Sequence, residues 1–315
     1  MDALFLLTPT LCFELFEPIF RSYPVPVHCV ESVQDLKCFV MEDKQNLKNN
    51  LFEGTTQEIG QLFGANKESG VLNATHIQSF PGVSHQELRF QVLDLSRCRL
   101  VSIFTDGVVP PEVFEQFGLG FYNFHPGPPA RPGWAPLNYA LFEGDECFGV
   151  TLHEAIREVD AGAIIATKKF KVPEGSNYHS LAGETFEVFA KLLEQYLPHL
   201  LGDAQLTPEL NAPKSWGQNR KTKKDLEQDA WVSPGCSREE LMRKIKAFGM
   251  SREVCTLKAL FHGKTYEFDP LVQPQLLLYK DNTLSKDNIK LGIKNNSFIF
   301  KNGLLEIWGV KFISR

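Results

Sequence analysis

FYNFHPGPPARPGW, residues 121–134, decides how the chain is read. An aromatic, apolar run that stops at a proline is a strand end, because proline can neither donate to a sheet ladder nor continue it. Side chains two apart on a strand share a face. Asn123 and His125 therefore project into one space, with Tyr122 and Phe124 turned the other way. The residues that follow, four prolines and two glycines at 126–133, form a stiff loop that walls this space without having to be ordered when a ligand arrives.

Working outward, the chain alternates strand and helix patterns. LVSIF (100–104) precedes a helix opened by Pro110-Pro111-Glu112, and PLNYALFEG has helical spacing. GVTLHEA (149–155) and AIIATKKF (163–170) read as strands, and SLAGETFEVFAKLLEQYLPHLLG (180–202) as a long helix. Upstream, ALFLL (3–7) is a continuous apolar run suited to a strand covered on both faces, CFELFEPIF has helical spacing, and VPVHCVE (25–31) reads as another strand. Such alternation predicts an α/β fold, a Rossmann-like, mostly parallel sheet. The Pro- and Lys-bearing stretch 206–229 reads as a linker. Beyond it, SREELMRKIKAF (237–248) is an amphipathic helix followed by short strand-like runs. The domain organisation expected is a Rossmann-like domain over 1–205, a linker over 206–229 and a small β-rich domain over 230–315.

Composition narrows the function. The chain has 315 residues, 43% of them apolar, and a formal charge of −5. That supports a packed globular protein and gives no basic footprint for nucleic acid. Seven cysteines, an odd number with no CxxC pair, suggest neither a disulfide framework nor a zinc site. The expected setting is reducing and cytoplasmic, without metal and without membrane contact. MDALFLLTPTLC lacks a basic leader and reaches Pro9 too early for a signal or spanning segment. Because LLTPT carries no GxGxxG, a dinucleotide is not expected.

The third polar group of the constellation is Asp160, in REVDAGAII. Carboxylate, imidazole and carboxamide together suit acyl transfer: a base for the nucleophile's proton and donors for an oxyanion. GxSxG is absent and Cys147 has no partner nearby in sequence, so the attacking group would belong to the substrate. His153 is read as a sheet-bonding residue ahead of a site-facing one, and the KTKKD run at 221–225 as solvated charge.

The ordered stretch NFHPGPPARPGWAPLNYALFEGDECFGVTLHEAIREVDAGAII resembles the tetrahydrofolate-dependent formyltransferases. Their pattern is an Asn-x-His-Pro strand end, a proline-containing loop closing on glycine, a helix, a Gly-Val-Thr segment and a Val-or-Leu-Asp-x-Gly turn. SIFTDGVVPPEVFEQFGLG extends the resemblance upstream. It implies that Asn123 and His125 polarise a formyl carbonyl while Asp160 orients the histidine and helps remove the amine's proton. It further implies a 10-formyltetrahydrofolate donor whose pterin lies against Val108, Val109 and the turn containing Arg157, Glu158, Val159 and Gly162.

Two departures from the family pattern stand out. The loop lacks the usual Ser-Leu-Leu-Pro and is one residue shorter, so Arg131 and Trp134 become the candidates for acceptor contact. Asp106-Gly107 replaces a common Gly-Arg, leaving Arg131 or Arg157 to meet the folate tail. The acceptor expected is a small primary amine, an amino sugar nucleotide first and methionyl-tRNA second. Hydrolysis of the donor and non-catalytic folate binding are the rival readings, and the oligomeric state is left open.

Overall fold

All five residues of β1 (Ala3–Leu7) are buried, as an apolar run without alternation requires when a strand is covered on both faces. The computed structural model describes residues 1–9, 20, 23, 25–40, 77–80, 94–105, 107–232, 238–249, 257–261, 264–268, 290–294, 297–301, 305–307 and 310–312. β1 lies within a seven-stranded sheet built with β2 (Val27–Val30), β3 (Ile77–Phe80), β4 (Cys98–Ile103), β5 (Phe121–His125), β6 (Cys147–Glu154) and β7 (Ile164–Lys171). Its order is β3-β2-β1-β4-β5-β6-β7. The β2-β1-β4-β5 core is parallel, and β3 and β6 join it antiparallel. This is the α/β, mostly parallel sheet expected from the alternating pattern. Apart from Phe20, the helix expected over CFELFEPIF lies outside the described residues, as does Asp106. β3 had no signal, since IQSF carries little apolar alternation.

The chain divides into two compact units: Met1–Pro129, Val150–Lys168 and Phe189–Trp216 form the first, and Ala130–Gly149, Lys169–Val188 and Gly217–Arg315 the second. In the first, Phe5, Leu7, Val30, Leu36, Leu100, Val113 and Phe117 share one apolar cluster. Phe124 faces elsewhere, meeting Phe189 of the helix Tyr178–Leu200 edge-on at 5.2 Å. The second unit has its own cluster around Tyr139, Phe148, Leu181, Leu226, Ile245 and Phe248. Short antiparallel strands follow, among them Lys258–Phe261 paired with Lys264–Phe268 and Lys290–Lys294 paired with Ser297–Lys301.

Residues expected to act as a linker have specific partners. Arg99, fully buried on β4, donates to the carbonyls of His199, Leu200 and Gly202 at the C-terminal end of the long helix, and to Ala204. A cation there meets the negative end of the helix dipole. Leu206 N–H then bonds the Tyr122 hydroxyl, and Glu209 N–H bonds the Ile165 carbonyl. Farther on, Thr222 caps the helix Lys223–Asp229 through a reciprocal capping box with Asp225.

His28, on β2, has its ring centroid 5.0 Å from that of Phe5, and burial lowers its pKa from 6.5 to about 4. The unfolded chain therefore takes up this proton first, so the contribution is intact above pH 6.5 and is lost as pH falls toward about 4. The loss is on the order of 3 kcal/mol. Urea unfolding of the wild type should weaken through that window and His28→Leu should flatten the dependence; identical pH slopes would contradict this role for His28.

Candidate active site

Strand register sets the site. β5 and β6 pair with Asn123 opposite His153 and His125 opposite Thr151. Opposed residues of an antiparallel pair share a face, so these four side chains point the same way. Ser102 of β4 lies beside Asn123 and its hydroxyl donates to Asn123 Oδ1 at 2.7 Å. Thr151 Oγ1 donates to the Gly127 carbonyl at 2.8 Å, tying the start of the proline loop to the sheet.

The turn between β6 and β7 brings Asp160 over that face. Ala155 N–H bonds the Phe121 carbonyl and Glu154 N–H bonds the Ala163 carbonyl, fixing both ends of the turn. Asp160 takes φ of 46°, a left-handed conformation that Asp tolerates better than most residues. A Cβ on Gly162 would sit 2.0 Å from the Glu154 carbonyl oxygen, so the close return of the chain requires glycine. Asp160 is 5% exposed; its Oδ2 lies 3.3 Å from His125 Nδ1 and its Oδ1 3.3 Å from His153 Nε2. One carboxylate thus bridges two buried imidazoles.

Hydrogen-bond roles follow from what each partner can do. The Glu154 carbonyl can only accept, so His153 Nδ1, 2.8 Å away, carries a proton. In the neutral ring Nε2 is then an acceptor, matched by Asn123 Nδ2 at 3.0 Å. Asn123 is held by Ser102 at its oxygen and by His153 at its nitrogen, which leaves its second amide N–H for a ligand. Neutral His153 should therefore be the Nδ1–H tautomer, read from its imidazole 15N shifts in long-range 1H–15N spectra. An Nε2–H tautomer would mean that the Asn123 amide is turned the other way.

The remaining candidates separate. Val108 is 63% exposed, whereas Val109 is buried in the first unit's core, so Val109 offers no surface to a ligand. Arg157, Glu158 and Val159 are exposed on the turn, as is the neighbouring Ile156, and Gly162 is buried. In the second unit, Arg131 is committed to Asp145, at 2.7 Å through Nε, and to Glu143 at 2.6 Å. Trp134 packs against that unit's core with Lys223 Nζ 5.7 Å from its ring centroid. Among the described residues no group of three or more His, Cys, Asp or Glu is arranged to hold a metal ion, and no helix is long and apolar enough to cross a membrane.

His153, Ser102 and Trp216 belong to the cluster although sequence patterns did not assign them there. Trp216 Nε1 donates to the Gly162 carbonyl at 2.8 Å. Its ring stands edge-on to both imidazoles. The available signals were slight: a histidine two positions from Thr151 on a strand, and a tryptophan in an otherwise polar stretch.

Residues 100–196 match the family model described as formyl transferase. Methionyl-tRNA formyltransferase of Bacillus licheniformis is 27% identical over 146 residues, and that of Staphylococcus aureus 25% over 147. The first match covers 46% of this chain and 46% of the relative, so the chain spans about half the length of the curated relatives it matches. Among solved structures, HypX from Aquifex aeolicus in complex with tetrahydrofolic acid is 19% identical with a TM-score of 0.56, covering 100% of this chain and 44% of that one. A 4-N formyltransferase from Francisella tularensis is 17% identical with a TM-score of 0.54, covering 84% and 95% respectively. At these identities the structures establish a shared fold. The matched segment, residues 100–196, contains Asn123, His125, His153 and Asp160 within its bounds, so the part of the chain that carries the site is similar to the formyl transferase family.

Proposed function

We propose that the chain transfers a formyl group from 10-formyltetrahydrofolate to a primary amine. The observation carrying this reading is the bridging of two buried imidazoles by Asp160 beside an Asn123 amide that keeps one N–H for a ligand. The donor supplies an activated formyl carbonyl. Asn123 and His125 stabilise the oxygen as it becomes anionic, and such preorganised donors act most strongly where water is excluded. The amine nitrogen attacks the formyl carbon and its proton passes to Asp160, which lies 3.3 Å from both His125 Nδ1 and His153 Nε2. The bond from carbon to the folate nitrogen then breaks, that nitrogen takes up a proton, and the formamide leaves. No protein nucleophile enters the sequence of steps.

Val108, Ile156 and Val159 are exposed large apolar side chains on the two segments expected to meet the pterin. A small amine ranks ahead of tRNA because Arg131, the one cation in loop 126–134, is already paired with Glu143 and Asp145. Phosphate recognition along a nucleic acid needs uncommitted Lys and Arg. An amino sugar nucleotide is the leading acceptor.

Release of tetrahydrofolate from the formyl donor tests this, measured with amino sugar nucleotides, with charged initiator tRNA and with no amine. Fast release should require an amino sugar nucleotide. Salt-sensitive formylation of tRNA would reverse the ranking, and fast release without any amine would identify a hydrolase.

The side chains have separable effects. Asp160→Asn keeps a residue that accepts left-handed φ but cannot take the amine's proton, so turnover should fall at least about a hundredfold while tetrahydrofolate still raises the melting temperature. His125→Ala should lose a similar factor. Near-normal turnover in either variant would remove that residue from the mechanism.

A further inference from the structure

Trp216 arrives at the site along a strap of chain rather than from a strand or a helix. Ala204, Leu206 and Glu209 are fastened in turn to Arg99 of β4, Tyr122 of β5 and Ile165 of β7. The strap ends with the indole N–H on the Gly162 carbonyl, two residues beyond Asp160. Its ring centroid is 5.6 Å from that of His125 at an interplanar angle of 78°, and 4.8 Å from that of His153 at 82°. One rigid side chain therefore touches both imidazoles and holds the turn that carries the carboxylate between them.

We propose that Trp216 is a positioning residue for formyl transfer, fixing the planes of His125 and His153 and the height of Asp160 over them. The inference rests on the formyl-transfer reading for its consequence in turnover, and on geometry alone for its consequence in ring orientation. Near-perpendicular aromatic contacts restrict ring rotation about χ2, a torsion that is otherwise broad. The hydrogen bond to Gly162 adds a constraint along the turn. Contacts of 3.3 Å between Asp160 and each imidazole leave little room for displacement before either is broken. Small displacements of reacting groups cost rate far more than they cost binding.

Two substitutions separate the contributions. Trp216→Phe keeps an aromatic ring and loses the N–H, and Trp216→Leu loses both. In Trp216→Leu, kcat per folded molecule should fall about tenfold or more, with KM for the formyl donor within about twofold of wild type. Trp216→Phe should recover part of that loss. A structural role alone would lower the melting temperature and leave kcat per folded molecule within about twofold in both variants, which would overturn the proposal. The second readout needs no turnover: the imidazole 1H and 15N resonances of His125 and His153 should both move in Trp216→Leu. If they move but wild type transfers no formyl group, the functional reading fails and the positioning role stands. If they stay, Trp216 does not orient the rings.

Discussion

Placing Asn123 opposite His153, and His125 opposite Thr151, is the constraint on which the rest of the site depends. Side chains on a strand alternate faces, so a slip of one residue between β5 and β6 would bury Asn123 and His125 on one side of the sheet and turn His153 to the other. The apolar positions hold this register. Phe124 lies against Phe189 on one face, and Leu152, its partner in the ladder, is also fully buried. Any slip would bring polar groups to that packed face, at the cost of burying them without partners. The core thus selects the arrangement that the polar residues use.

Polar groups in the cluster restrain one another. Ser102 fixes the Asn123 oxygen, His153 takes one amide hydrogen, and the Glu154 carbonyl fixes the His153 tautomer. Asp160 can stand over both rings only because its turn accepts left-handed φ and because Gly162 lets the chain return against Glu154. Buried polar networks specify a single geometry when each member is satisfied. Here that geometry leaves one Asn123 N–H and a carboxylate with two imidazole partners, which is the chemistry an amine attacking a carbonyl requires.

Part of this was legible in the sequence. Asn123 and His125 two apart before Pro126 read as a shared face on a terminating strand, and the Ala-Gly after Asp160 read as a turn. Their meeting also followed from the family pattern. His153 was not assigned because a strand residue's face is known only once its partner strand and register are fixed. Val108 and Val109 look alike in sequence, yet one is exposed and the other packs with Val113 and Phe117. Arg131 read as a ligand cation because Glu143 and Asp145 lie across a helix from it. Trp216 sat in a stretch whose prolines and lysines suggest a linker, while the hydrogen bonds that fasten it come from residues far away in the chain.

The most direct measurement is a crystal structure with a hydrolysis-resistant 10-formylfolate analogue bound. The account predicts the formyl oxygen at about 3 Å from both Asn123 Nδ2 and the His125 imidazole, with the formyl carbon facing Asp160. A well-defined folate whose formyl group is held away from these residues, or that binds elsewhere on the chain, would contradict it.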